Sequence, residues 1–113
     1  MSSFINGAVA AAGATQPLYV EDVFSTYLYT GTGSTQTITN NIDLADKGGL
    51  LWIRSRTEGT SKYNGNSYIY DNSRGVANRL LTNSTAAQYA DGNSVSSFNS
   101  NGFTIGSFNN INY

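Results

Sequence analysis

The chain has no cysteine and no histidine in 113 residues. The first absence removes disulfides, thiol catalysis and thiolate metal sites. The second removes the commonest general base, and with it the Ser-His-Asp triad, Cys-His dyads and most zinc sites. Charge is scarce too: six Lys and Arg stand against seven Asp and Glu, for a net charge of −1. That balance leaves no basic patch for a phosphate backbone, so nucleic acid is not expected as a partner. The first basic residue is Lys47, and "AVAAAGA" near the start is short and weakly apolar, which argues against a secretory signal. No run approaches the ~20 apolar residues of a membrane span, so no membrane partner is expected either. With one proline and little net charge, the chain also lacks the usual marks of disorder.

Small polar residues fill the space: 14 Asn, 14 Ser, 12 Thr and 12 Gly account for 52 of 113 positions. Eight Tyr, five Phe and one Trp supply bulky side chains, enough to build one core from few residues. Thr, Tyr, Phe and Ile suit a pleated, half-buried surface, while Asn-Gly, Asp-Gly and Gly-Gly suit tight turns. Together they predict a single all-β domain with many loops.

Residues 1–23 are small or weakly apolar. The Ala run is interrupted by Gly13, and Pro17 turns the chain extended; a helix this short is marginal alone, so a partner is expected to order it. From Phe24 the period becomes two. "VFSTYLYT" reads as a strand with Tyr27 and Tyr29 on one face and Phe24, Thr26 and Leu28 on the other; "GTGS" reads as a turn and "TQTITN" as the returning strand around Ile38. "LLWIRSR" is the clearest strand, with Leu51 and Ile53 opposed to Trp52 and Arg54. "TEGTSKYNGN" is a polar loop, "SYIYDN" a strand, residues 72–75 a turn, and "VANRLLTN" a further strand or short helix. "STAAQYADGN" is ambiguous. "SVSSFN" and "GFTIGSF" form a hairpin about Ser100-Asn101-Gly102. Six or seven short strands at this spacing predict a sandwich or jelly roll with one domain over residues 24–113. The last residues, "SFNNINY", read as the approach to another strand, which suggests the front of a longer polypeptide or a sheet completed by a neighbour.

Little of this looks like chemistry. Gly-x-Gly in "YTGTGST" lacks a following Lys and helix, so a hairpin turn explains it better than a phosphate loop. The seven acids are scattered among Gly, Asn and Lys, which suits turns better than a catalytic carboxylate pair, and "DLAD" lacks the ligand density of a calcium loop. Arg54, Arg56, Arg74 and Arg79 are read as surface partners of Asp71 or Asp43, or else as part of a protein interface. Of Tyr63, Tyr68, Tyr70 and Tyr89, which would also suit stacking on sugars, half belong in the core by alternation. The "NST" at Asn83 matches a glycosylation acceptor but carries no weight without a signal peptide. No catalytic residue, metal ligand or cofactor site is identified, and an enzyme is not expected.

The runs "FSTYLYTGTGSTQTITNNIDLADKGGLLWIRSR", "YIYDNSRGVANRLLTNSTAA" and "VSSFNSNGFTIGS" resemble the repeated sandwich domains near the front of tail-fibre and related virion proteins of marine podoviruses and other bacteriophages. The shared elements are the Gly-Leu-Leu-Trp-Ile strand, the Asp-x-x-Arg-Gly turn at residues 71–75, the Asn-Ser-Thr and the final hairpin. The resemblance implies a concanavalin-like or jelly-roll antiparallel β-sandwich assembled into the virion, usually as a homotrimer, with no catalysis, and made in the host cytoplasm without secretion. Relatives run on into a Trp-Thr-Phe strand and a further sandwich, before which this sequence stops. The opening "Met-Ser-x-Phe-Ile-Asn-Gly-Ala" is similar to the N-termini of those proteins. That likeness implies an attachment arm over residues 1–23, with Phe4, Ile5, Val9, Leu18, Tyr19 and Val20 gripping a tail adaptor or nozzle protein or neighbouring fibre chains. The rival readings are a carbohydrate-binding module for host glycans and a capsid decoration protein.

Overall fold

The computed structural model describes residues 17–56 and 65–113. After a single helical turn, α1 (Val20–Val23), come seven strands: β1 (Gln36–Thr39), β2 (Leu50–Arg54), β3 (Ser67–Asp71), β4 (Asn78–Leu81), β5 (Tyr89–Ala90), β6 (Val95–Asn99) and β7 (Gly102–Ile105). They form two sheets, β1-β7-β6 and β2-β3-β4-β5, and every strand pair is antiparallel. The result is an all-β sandwich preceded by an extended segment with one helical turn.

Alternation puts the core between the sheets. Ile53 and Leu51 on β2 sit opposite Tyr68 and Tyr70 on β3, and Tyr68 in turn sits opposite Leu81 on β4. From the other sheet Ile38 faces Phe103 across β1 and β7, with Val95 and Ile105 beside them. Ile38, Ile53, Tyr68, Tyr70, Val95, Phe103 and Ile105 join Leu44 and Ile111 from the connections in one buried cluster. Trp52 lies on the opposite face of β2 and is 63% exposed, as the period-two reading of "LLWIRSR" predicts. Gly102 is needed for close approach: a Cβ there would collide with the Ile38 carbonyl across the β1–β7 pair.

One expected pairing fails. The "VFSTYLYT" strand does not form a hairpin with β1: residues 24–30 belong to no strand, and β1 pairs with β7 instead. In "SFNNINY", residues 109–111 turn, with Ile111 N–H bonded to the Phe108 carbonyl at 3.1 Å. That turn drives Asn112, which is 0% exposed, into the "GTGS" bend. Asn112 Oδ1 accepts from Thr32 N–H (2.9 Å) and Gln36 Nε2 (2.6 Å), while Nδ2 donates to the carbonyls of Ser34 (2.6 Å) and Gly106 (2.7 Å). Gly33 N–H reaches the Asn112 carbonyl at 2.8 Å. The polar groups of the bend are thereby satisfied by a residue about 80 positions away rather than by a facing strand, and the segment before the bend is left splayed from β1.

The remaining turns follow local rules. Asp71 Oδ1 accepts the Arg74 N–H at 2.8 Å, its Oδ2 meets Arg74 Nε at 3.0 Å, and Gly75 closes the turn at φ +98°. The ambiguous stretch before Asp91 contributes β5, a two-residue edge strand.

Candidate functional site

The sandwich is open along one side. β2 is the outer strand of its sheet, and Gly49, just before it, directs both N–H and C=O at Asn72 beyond the end of β3, at 2.6 and 3.4 Å. Strand alternation then turns Leu51 and Ile53 toward β3 and turns the N–H and C=O of Leu50 and Trp52 away from it. Among the described residues nothing meets those outward groups.

Facing that edge is the segment of residues 23–29, from the end of α1 onward. Between them lies a cavity of about 610 Å³ floored by the core residues Leu44, Ile53 and Phe103. Most of its wall is apolar or aromatic, including Phe24, Tyr27, Tyr29 and Trp52, with Ser25, Thr26, Asn40 and Arg54 as the polar residues. The volume lies in the ~300–1,000 Å³ range of small-molecule sites, but two of its walls are unpaired backbone rather than converging polar groups. Residues 25–29 make no backbone hydrogen bond among the described residues. A second cavity of about 430 Å³ places residues 27–31 beside Arg54, Ser55 and Arg56. The C-terminal end of the segment therefore sits at the C-terminal end of β2.

That end is fixed. Tyr29 Oη donates to the Ile111 carbonyl at 2.5 Å, Gln36 Nε2 donates to the Thr30 carbonyl at 3.1 Å, and Gly31 packs directly on the Tyr113 backbone, where no Cβ would fit. Burial raises the pKa of Tyr29, and the neighbouring Tyr70 raises it further. Tyr70 is raised as well, again by burial, with Ser94 and Arg79 opposing. Its hydroxyl is buried with no hydrogen-bond partner of good geometry, although both groups lie near it.

Of the arm residues singled out in the sequence, Phe4, Ile5 and Val9 lie outside the described residues. Leu18, Tyr19 and Val20 are described and exposed, Leu18 at 75%. Asp22 orders this stretch locally, its carboxylate accepting the Tyr19 N–H at 3.1 Å. No helix among the described residues is long and apolar enough to cross a membrane.

The acids have turn roles. Asp43 accepts the Asp46 N–H at 2.9 Å and Asp91 accepts the Asn93 N–H at 2.9 Å. Among the described residues no three His, Cys, Asp or Glu cluster as metal ligands would. Arg74 pairs with Asp71 as expected of a surface arginine, but Arg79 does not fit the surface reading. It points inward from β4 with its side chain 12% exposed, paired to Asp91 at 3.0 Å, and its guanidinium lies 4.3, 4.8 and 5.3 Å from the ring centres of Phe108, Tyr89 and Tyr68. Tyr68 and Phe108 themselves meet edge to face at 5.4 Å. Of the four tyrosines weighed for sugar stacking, Tyr68 and Tyr70 are core, Tyr89 is exposed, and Tyr63 lies outside the described residues. The open edge of β2 went unnoticed in the sequence because edge position depends on which strands fail to pair. The one available signal was the alternation that exposes Trp52.

Searches of curated proteins and of solved structures gave no match. A protein-family model does match, over residues 20–113, a span that includes the segment facing β2 and every strand. The chain belongs to the family described as domain of unknown function DUF7483.

Proposed function

We propose that this domain is a non-catalytic structural module of a virion, the tail-attachment part of a fibre, seated on a neighbouring virion protein through its arm. The observation that carries the attachment reading is the exposure of Leu18, Tyr19, Val20, Val23 and Phe24, five apolar side chains within seven residues. Large apolar side chains left in solvent this close together along the chain favour an interaction site, since burying them on a partner gains ~25 cal/mol per Å². The virion setting comes from the sequence resemblance. The scattered, turn-bound carboxylates and the lack of imidazole and thiol favour binding over catalysis.

Deleting residues 1–20 tests the reading. The sandwich should keep its thermal transition, because its buried cluster begins at Ile38. Particles assembled with the truncated chain should lack it. Normal incorporation defeats the attachment reading, and selective binding to host glycans by the truncated domain replaces it with the carbohydrate-binding one.

A further inference from the structure

We propose that the cleft beside β2 is a strand-exchange site, filled by residues 24–28 of a second copy of this chain running antiparallel to β2. Each copy carries both halves of such a joint. The acceptor is the edge on which Leu50 and Trp52 direct their backbone groups outward. The donor is the segment that follows α1, which starts from an extended Phe24, has the alternation of a strand and no backbone partner over residues 25–29 among the described residues. An exposed edge of this kind is a template for another strand.

Charge and direction decide which copy supplies the donor. The donor is led by Glu21 and Asp22, and the acceptor ends at Arg54 and Arg56. An antiparallel pairing brings acids and arginines together, and facing opposite charges favour one strand pairing over others. Within one chain this match is unavailable: Tyr29 and Gly31 are fixed and line the same cavity as Arg54 and Arg56, so an antiparallel pairing that carries Glu21 and Asp22 to those arginines has to come from a segment tethered elsewhere. A second copy has no such tether. Setting Phe24 opposite Trp52 and Thr26 opposite Leu50 puts Val23, Ser25 and Tyr27 on the core side over Ile53 and Leu51. It also pairs the exposed Phe24 with the exposed Trp52 outside. The exchanged strand extends the sandwich in the antiparallel sense of all its other pairs. The inference does not rest on the attachment reading, because it concerns how copies join each other and its tests leave residues 1–20 intact.

The absence of native cysteine makes the test direct. Thr26→Cys and Leu50→Cys, prepared separately, mixed and mildly oxidised, should give a disulfide-linked heterodimer in preference to either homodimer. Trp52 is the sole tryptophan, so its emission should shift to the blue as protein concentration rises, and Glu21→Lys, an exposed change, should move that shift to higher concentration. An intramolecular disulfide in the Thr26→Cys/Leu50→Cys double variant, with monomeric sedimentation, would show the segment closing on its own β2 and overturn the proposal. So would the absence of a heterodimer together with a Trp52 emission independent of concentration.

Discussion

Replacing Asn112 with alanine removes four side-chain hydrogen bonds from a fully buried position. The four do not count equally. Thr32, Ser34 and Gln36 border solvent and regain water, whereas the carbonyl of the buried Gly106 loses its bond in a place water does not reach. At ~0.5–1.5 kcal/mol net for each bond, with more for an acceptor left unsatisfied, the expected loss is about 3 kcal/mol. For a domain of this size that lowers the melting temperature by roughly 12–24 °C. Asn112→Asp is the sharper test. The carboxylate keeps both acceptor roles but faces the Ser34 and Gly106 carbonyls with no donor, so its folded pKa must rise above the ~3.9 of an unfolded Asp. Between those two values the native state holds more protons than the unfolded state, and stability falls as pH rises. Thermal melts of the wild type and both variants at pH 4 and pH 7.5 should show the Asp variant losing stability, relative to wild type, at the higher pH. A cost below ~1 kcal/mol for the alanine variant, or an Asp variant with no such pH dependence, refutes the clasp.

The ion pair between Arg79 on β4 and Asp91 just after β5 makes a contrasting case. Asp91→Ala leaves Arg79 among aromatic rings without its counter-ion and should cost about 1–3 kcal/mol by urea titration, discounted from a fully buried pair because Asp91 is partly exposed. Arg79→Met removes charge and partner demand together, keeps most of the packing, and should cost less than the Asp91 change. Alkaline stability provides the remaining prediction. Tyr29 and Tyr70 have phenols raised above the ordinary ~10, so above that pH the native state retains protons that the unfolded chain gives up, and stability falls. Ultraviolet titration of phenolate should resolve a late-ionising class whose appearance coincides with unfolding, and Tyr29→Phe should shrink it.

Much of the sandwich was legible because strand, turn and hairpin signals are local. "LLWIRSR" and "SYIYD" declare their faces by alternation, Asp71 caps a turn three residues away, and Ser100-Asn101-Gly102 joins β6 to β7 as neighbouring hairpin strands do. The site was legible only in part. The resemblance singled out Leu18, Tyr19 and Val20 as residues that grip a partner, and the fold leaves them exposed. It also paired "VFSTYLYT" with β1, because neighbouring strands usually pair and nothing nearby forbade it. Arg79 shows the same limit: its charge says surface, and only the placing of Asp91, Tyr68, Tyr89 and Phe108 around it permits burial.

By itself, then, the order of residues settled the class of fold, the faces of its paired strands and the lack of imidazole and thiol, since each depends on composition or on contacts a few positions apart. The tertiary structure decided which strands are neighbours and which edge stays open. A single asparagine occupies a bend 80 residues before it, and that contact turns an apparent hairpin strand into an unpaired segment facing β2. Hydrogen bonds across that distance along the chain leave no periodic trace in the sequence, so the opening they create appears only when the chain is folded.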